Sequence, residues 1–329
     1  MPDRSDWTEE SYDFDRTALR AKLADVVQEP GSAKPQPILT VDHVVRRFGG
    51  MTAVEVDHLE VQRGAITALI GPNGAGKTTF FNLITGFDKP TSAKPAFGGG
   101  SGPFASWRFQ GRSLGSTSAF RVAQAGMVRT FQLTKALSAM TVMDNMLLGA
   151  QDQPGEHMLA ALVRPVWRKR EAEIREKAEE LLARFKLDTK QKDYAGSLSG
   201  GQRKLLEMAR ALMSDPAMIM LDEPMAGVNP ALTQSLLGHI QGLRDQGTSV
   251  LFVEHDMHMV RHISDWVVVM AEGRIVAEGP PEKVMQHQAV VDAYLGSHHD
   301  QDLGDDSVLD EDFQVAVADK DAERAEEKA

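Results

Sequence analysis

The sequence GPNGAGKTT, residues 71–79, follows a short apolar run at residues 65–70 and precedes a helix-favouring stretch at residues 77–85. It satisfies the pattern G-x-x-x-x-G-K-[ST] in the strand–loop–helix context that the pattern requires. Glycines let the backbone turn tightly enough to aim several N–H groups at one phosphate chain, and the helix N-terminus adds a positive dipole. The loop therefore predicts a binding site for a nucleoside triphosphate.

The side chains of this loop have separate expected roles. The Lys77 ammonium is a point charge for the β- and γ-phosphates, and the Thr78 hydroxyl is a ligand for Mg²⁺. We therefore expect ATP and Mg²⁺ as the bound species. The residues predicted to hold the nucleotide here are Gly71, Asn73, Gly74, Ala75, Gly76, Lys77, Thr78 and Thr79.

A second group of candidate residues follows two further apolar runs of strand length, at residues 217–221 and 249–253. Asp222 ends the first run and is predicted to hold Mg²⁺, directly or through water, while Glu223 is placed to polarise the attacking water. His255 follows the second run. Ligands of parallel sheets gather beyond the carboxyl ends of the strands, so His255 is expected to reach the γ-phosphate.

The alternation of buried strands and helices predicts an α/β fold with a mostly parallel sheet covered on both faces. Residues 266–270 and 275–277 predict a later hairpin, which adds an antiparallel β part. Charged amphipathic stretches at residues 168–185 and 204–213 predict a helical subdomain inserted at about residues 127–213. The glycine- and serine-rich composition of residues 91–118 predicts a flexible loop.

The two ends of the chain differ from this body, which we place at residues 37–298. Residues 1–36 are polar and end in a linker-like composition, so a flexible extension is expected, with a short docking helix as the alternative. Residues 299–329 form an acidic tail that is expected to be disordered. From Asp300 to Ala329 there are twelve acids and three bases, a net charge of −9 out of −11 for the whole chain.

Composition excludes several classes of protein. The nearly neutral body has no broad basic surface of the kind that nucleic-acid binders use, so DNA or RNA is not expected as a partner. The chain has no cysteine, which excludes disulfides and cysteine nucleophiles. No stretch approaches the ~20 consecutive apolar residues of a membrane-spanning helix, and the first thirty residues lack the apolar region of a secretion signal.

The sequence LSGGQRK at residues 198–204 resembles the signature of ABC ATPases. Ser199 and the two glycines after it form a polar helix start, which is a further anion site assisted by the helix dipole. The resemblance covers about residues 38–296 and implies the P-loop NTPase fold of ABC ATPases. In that family Ser199, Gly200, Gly201 and Gln202 would meet the γ-phosphate held by a second ABC ATPase subunit, identical or not.

Other residues take roles only through this resemblance. Phe48 matches the aromatic position that stacks on adenine, and Gln132 matches the glutamine that senses Mg²⁺ and the membrane partner. Asn229 stands where most families have an aspartate, which leaves the usual contacts of that loop unsecured. Met140, Met143 and Met146 lie where the family receives a helix of the membrane subunit, but at least two of them are expected in the core.

The motifs RTFQ (residues 129–132), DEPMAGVNP (residues 222–230) and the segment at residues 273–296 resemble one branch, the ATP-binding subunits of branched-chain amino-acid importers. The resemblance implies transmembrane permease subunits as partners, an extracytoplasmic solute-binding protein as an indirect partner, and a peripheral location on the cytoplasmic face of the membrane. Three alternatives remain: the same ATPase for another solute (urea, other amides or exported lipid), a non-transport ABC ATPase, and a nucleotide-binding regulator without turnover.

Overall fold

The computed structural model describes residues 16–91, 105–115, 117–130, 137–151 and 164–298. Its strands are β1 (Pro37–Phe48), β2 (Met51–Gln62), β3 (Ile66–Ile70), β4 (Ser106–Phe109), β5 (Arg112–Ser113), β6 (Met127–Arg129), β7 (Met218–Asp222), β8 (Ser249–Val253), β9 (Trp266–Ala271) and β10 (Arg274–Gly279). Its helices are α1 (Arg16–Ala24), α2 (Lys77–Ile84), α3 (Ala119–Gln124), α4 (Val142–Leu147), α5 (Arg164–Arg184), α6 (Gly200–Leu212), α7 (Pro230–Asp245), α8 (Met257–Ile263), α9 (Pro281–Val284) and α10 (Gln288–His298).

The central sheet has the strand order β10-β9-β3-β8-β7-β6. All neighbours pair in parallel except β10, which pairs antiparallel with β9. Every residue of β3 and β8 is buried, because both faces of the sheet are covered. The predicted parallel core is confirmed, and so is the later hairpin, whose turn contains Glu272 and Gly273 with φ of 47° and 80°.

Successive side chains of the central strands enter two different cores, as the two-residue period of a strand requires. Ile219 and Leu221 of β7 belong to the core shared with helices α4 to α8, whereas Met218 and Met220 belong to the core shared with α2 and a second sheet. That second sheet is antiparallel, with the order β2-β1-β4-β5. Because β3, β8 and β7 are parallel neighbours, their carboxyl ends lie at the same edge of the central sheet.

Two predicted boundaries are corrected. Met127–Arg129 is not part of a helical subdomain, because it pairs with β7 as an edge strand of the central sheet, and the helical part begins later, with α4. Residues 105–115 are not a flexible loop, because β4 and β5 extend the antiparallel sheet and bury Trp107 and Phe109. Met143 and Met146 are buried, as expected for core methionines.

The flexible extension expected at the N-terminus is corrected in favour of its alternative, a short docking helix, since residues 16–36 are folded onto the body. In α1, Arg16 and Arg20 each place Nε 3.2 Å from Oδ1 of the buried Asp265, and Leu23 enters the core. Further along, Lys34 Nζ lies 2.9 Å from Glu278 Oε2, and both side chains are completely buried.

The remaining predictions about the ends are placed as follows. The C-terminal segment at residues 273–296 forms β10, α9 and most of α10. The acidic tail at residues 299–329 and the first fifteen residues lie outside the described residues. Among the described helices none has the length and apolar content needed to cross a bilayer.

Candidate functional site

The phosphate loop connects β3 to α2, as the sequence predicts, and its backbone requires glycine. Gly71 has φ of 150° and Gly76 has φ of 96°, in the region that residues with a side chain rarely adopt. A Cβ atom on Gly71 would lie 2.0 Å from the carbonyl oxygen of Met270, and one on Gly76 would lie 2.4 Å from that of Ala53. In both cases the blocking atom is a backbone carbonyl oxygen, which cannot turn aside as a side chain could. Only glycine therefore lets the loop close this tightly.

Lys77 is the first residue of α2, and its side chain folds back over the loop. Its Nζ donates hydrogen bonds to the carbonyl oxygens of Gly71 (2.6 Å) and Pro72 (2.9 Å). Burial lowers the pKa of Lys77, and the neighbouring carboxylates of Glu223 and Asp222 act against that shift. The structure therefore brings the two predicted halves of the site together, with one ammonium facing two acids.

Asp222 ends β7 and is held by a residue that sequence reasoning missed. Its Oδ2 accepts a hydrogen bond from Nη2 of Arg129 at 2.6 Å, and Nη1 of the same arginine donates to Oδ1 of Asn82 in α2, also at 2.6 Å. The guanidinium also lies 5.5 Å from the ring centre of Phe81. Arg129 thus links the edge strand β6, the helix of the phosphate loop and the predicted metal ligand. The signal available in the sequence was an arginine at the end of a short apolar run. It is the first residue of the RTFQ motif, residues 129–132, which also contains Gln132.

Glu223 follows Asp222 in an uncommon backbone conformation. Its φ is 47°, and its N–H donates to the carbonyl oxygen of Val253 at 3.0 Å, which prolongs the pairing of β7 with β8. His255 follows the adjacent strand β8 and is exposed, with Nδ1 3.8 Å from Oε2 of Glu254. A small cavity of ≈ 20 Å³ lies beside the two acids, lined by Thr130, Lys204, Glu207, Met208, Leu221, Asp222, Glu223, Pro224 and Leu236. The phosphate loop and the second predicted group, which is Asp222, Glu223 and His255, therefore lie at the same edge of the central sheet.

The signature residues begin α6, as predicted, and the helix start is exposed. The Ser199 hydroxyl accepts from the N–H of Gln202 at 3.2 Å, and the Gln202 side chain accepts from the N–H of Ser199 at 3.0 Å. This reciprocal capping box fixes the first turn of the helix. Ser199 and Gly200 face solvent, so this helix start is accessible to a second molecule.

Of the residues that the family resemblance added, the structure describes Phe48 and Asn229 but not Gln132. Phe48 lies at the tip of the β1–β2 hairpin, is half exposed, and has the Arg46 guanidinium 4.4 Å from its ring centre. Asn229 caps α7 by accepting the N–H of Leu232 at 2.9 Å, which is the helix-capping role that an aspartate also performs. Gln132 lies outside the described residues, so its role stays a prediction.

A larger depression of ≈ 570 Å³ lies elsewhere, between α1 and residues 29–35. None of the predicted site residues borders it. The chemistry therefore has to be sought at the sheet edge, where the charged groups converge, and not in this depression.

Comparisons with known proteins agree with this geometry. The family model described as ABC transporter matches residues 54–226, and the model described as Branched-chain amino acid ATP-binding cassette transporter matches residues 274–300. The probable branched-chain amino acid transport ATP-binding protein LivG of Archaeoglobus fulgidus is 39% identical over 260 residues, covering 79% of this chain and 96% of that protein. The high-affinity branched-chain amino acid transport ATP-binding protein BraF of Pseudomonas aeruginosa is 39% identical over 263 residues, covering 79% and 98%.

Solved structures give the same result. The crystal structure of a nucleotide-free ATP-binding cassette from an ABC transporter superposes with a TM-score of 0.66 at 36% identity, covering 79% of this chain and 99% of that one. A cassette of an ABC transporter in its ADP conformation gives the same values. With a phosphate loop, a paired acid site and a signature helix on one α/β body, the chain belongs to the ABC transporter family and is one of its ATP-binding, ATP-hydrolysing subunits.

Proposed function

We propose that this chain powers a membrane importer of branched-chain amino acids by hydrolysing ATP. The observation that supports this solute is the C-terminal segment of β10, α9 and α10, which matches the branched-chain amino acid cassettes specifically. The similarity of the whole body to relatives named for branched-chain amino acid transport points the same way. Urea, other amides and exported lipids are the alternative cargoes, because the solute itself is chosen by other subunits.

The loop at residues 71–79 suits a triphosphate. Lys77 lies over it as a partly buried cation, and it can exchange the carbonyl oxygens of Gly71 and Pro72 for phosphate oxygens. The first backbone N–H groups of α2 point toward the same place, where the helix dipole favours negative charge. Phe48 offers one ring face on which adenine can stack.

Thr78 and Asp222 are assigned to Mg²⁺ because they supply oxygen ligands, which this ion prefers. In the described ranges no three His, Cys, Asp or Glu side chains cluster as a ready metal site. This agrees with an ion held by one or two protein oxygens and by the nucleotide itself. When bound, Mg²⁺ supplies neutralisation of the phosphate charge. Arg129 keeps the Asp222 carboxylate oriented.

Glu223 is assigned as the general base, which takes a proton from the attacking water. His255 is assigned to donate a hydrogen bond to the γ-phosphate, and Gln132 to contact Mg²⁺ and sense the permease. Ser199 to Gln202 of this chain are assigned to the nucleotide of a second ABC ATPase subunit, which would close the site from the other side. Dimer closure and reopening then drive the membrane subunits.

The permease is proposed to dock on an exposed apolar surface formed by Phe87, Phe120 and Leu148, whose exposed fractions are 54%, 71% and 57%. The turn at Gly86 abuts the backbone of residues 117–119, so the segments that carry Phe87 and Phe120 adjoin. Gln151 donates from Nε2 to the carbonyl oxygen of Ala123 at 3.2 Å, which brings the segment of Leu148 beside that of Phe120. Exposed aromatic side chains of this kind are typical of protein interfaces. The chain would then lie peripherally on the cytoplasmic face of the membrane, with a solute-binding protein acting on the far side.

Uptake of labelled leucine tests the solute, in cells whose only copy of this subunit carries Lys77→Ala beside cells with the wild-type chain. We expect leucine uptake to collapse while an unrelated solute enters normally. Unchanged leucine uptake, in cells without a second leucine carrier, would refute the solute and leave the ATPase in place.

Glu223→Gln tests the chemistry separately. Removing the base should leave ATP bound and trap a closed dimer, which light scattering detects as a doubled mass in the presence of ATP. Wild-type turnover by Glu223→Gln would refute the assignment of this residue as the base.

A further inference from the structure

The segment at residues 223–226, directly after β7, is held from two sides by charged side chains that the mechanism above does not use. Lys204, in α6, donates from Nζ to the carbonyl oxygens of Glu223 (3.2 Å) and Pro224 (3.1 Å), and also to that of Ala226. Glu254, directly after β8, accepts the N–H of Met225 on Oε1 at 2.9 Å. One side chain therefore binds the carbonyl oxygens of the segment, and the other binds an N–H group.

This segment needs such contacts because Glu223 has a φ of 47°. A left-handed conformation is uncommon for a residue with a side chain, and it persists where surrounding contacts fix it. The N–H of Glu223 is bonded to Val253, and its carbonyl oxygen accepts from both Ala226 and Lys204. The backbone contacts of Glu223 thus fix the direction in which its Cα–Cβ bond leaves the chain.

Burial and charge show that both residues are built into the fold at this point. Glu254 is 1% exposed. Burial lowers the pKa of Lys204, and the carboxylates of Glu254, Glu207 and Glu223 act against that shift. Lys204 and Glu254 therefore attract each other across the segment that they hold.

We propose that Lys204 and Glu254 are positioning residues that fix the Glu223 backbone, so that its carboxylate faces the attacking water. The inference rests on the proposed role of Glu223 in hydrolysis. Lys204 lies one turn after Ser199–Gln202 on the same helix, whose exposed start is assigned to the nucleotide of the second subunit. A movement of that helix is therefore transmitted to the Glu223 of the same chain through Lys204.

The test uses Lys204→Met, Lys204→Arg and Glu254→Gln in the full chain, with Lys177→Met as the matched control. Lys177 also donates to a backbone carbonyl, that of Met213 at 3.0 Å, but it lies in α5. We expect Lys204→Met to lower kcat by about 10- to 100-fold, the effect of a misplaced catalytic group. KM for ATP and the binding of a fluorescent ATP analogue should change by less than about two-fold, because the phosphate loop is untouched.

The other variants separate positioning from folding. Lys204→Arg keeps a cationic donor and should recover most of the lost kcat, whereas Lys177→Met should keep the wild-type value. Glu254→Gln retains an oxygen that accepts the Met225 N–H but loses the attraction to Lys204, so its kcat should fall between those of the wild type and Lys204→Met. Combining Lys204→Met with Glu254→Gln should cost less than the product of the two effects, because both act through one segment.

Glu223→Gln measured beside these variants keeps the two proposals apart. Wild-type kcat in Lys204→Met, together with loss of turnover in Glu223→Gln, would overturn the positioning role and leave the base assignment standing. Turnover in Glu223→Gln would remove the base assignment, and the positioning role with it. If Lys204→Met unfolds at a temperature well below that of the wild type, the kcat of Glu254→Gln becomes the test of the positioning role. An unchanged kcat in Glu254→Gln would then overturn the inference.

Discussion

Replacing Lys34 with methionine should destabilise the protein strongly, although Lys34 lies far from the phosphate loop in sequence. The Lys34 ammonium is completely buried, 2.9 Å from Glu278 Oε2 and 4.6 Å from the ring centre of Trp266. Methionine fills similar volume but removes the charge. The Glu278 carboxylate would then stay in the interior without its cation.

The magnitude follows from what remains around Glu278. Removing one partner of a buried ion pair costs about 3–5 kcal/mol. The carboxylate would keep the N–H and hydroxyl of Ser32 and the indole N–H of Trp266, at 2.7, 3.1 and 2.9 Å. These three donors place the expected loss of unfolding free energy near the lower end, at about 3 kcal/mol. For a domain of this size that corresponds to a fall in Tm of about 6–12 °C.

Thermal melting followed by circular dichroism, together with urea unfolding, measures this loss. Arg170→Ala is the control, since it removes an exposed pair with Glu173 and should change the unfolding free energy by about 0.5 kcal/mol or less. The double variant Lys34→Met/Glu278→Gln should recover part of the loss, because no charge is then left buried. A Tm for Lys34→Met within about 1 °C of the wild type would refute the reasoning, since about 3 kcal/mol cannot produce so small a shift.

Three further predictions concern single positions. Gly71→Ala places a Cβ 2.0 Å from the Met270 carbonyl oxygen, so we expect about 1–3 kcal/mol of destabilisation by urea unfolding, whereas Gly50→Ala meets open space and should cost almost nothing. Burial lowers the pKa of His239 below its ordinary 6.5, so the unfolded chain binds the proton more readily. The free energy of unfolding should therefore fall as the pH drops below about 6.5, and His239→Gln should flatten this part of its pH profile as measured by urea unfolding. Phe48→Ala should weaken ATP binding by about ten-fold in calorimetry, as expected when base stacking is lost, and Phe48→Trp should preserve it; equal affinities would contradict the stacking role.

Much of the central sheet was predictable because β3, β7 and β8 are uninterrupted apolar runs. Such strands are buried on both faces, and the acids at the end of one run and the histidine after another must then lie at the same edge. The signature helix was predictable as well, since Ser199 and Gln202 have the spacing of a capping box. These features depend on residues close together in sequence.

The missed features depend on residues far apart. Arg16 and Arg20 reach Asp265 over more than 240 positions, so the sequence left a flexible arm and a docking helix as open alternatives. The strands β4 and β5 are short, and they form only because β4 pairs with β1 and β5 pairs with β4. The glycine-rich sequence around them conceals both strands. Likewise, Arg129 and Lys204 look like ordinary surface cations until the fold places Arg129 against Asp222, at the end of β7, and Lys204 against the segment at residues 223–226.

The hydrogen bonds from Lys77 to Gly71 and Pro72 have a kinetic consequence. Because the lysine fastens the loop to itself, contacts within the chain hold the loop in its closed shape. Binding then exchanges one set of acceptors for another and orders little new backbone, so the entropy lost on association is small. Nucleotide capture should accordingly proceed at a rate set by encounter and not by loop folding. In the proposed cycle, the slow events are then the closure and reopening of the dimer.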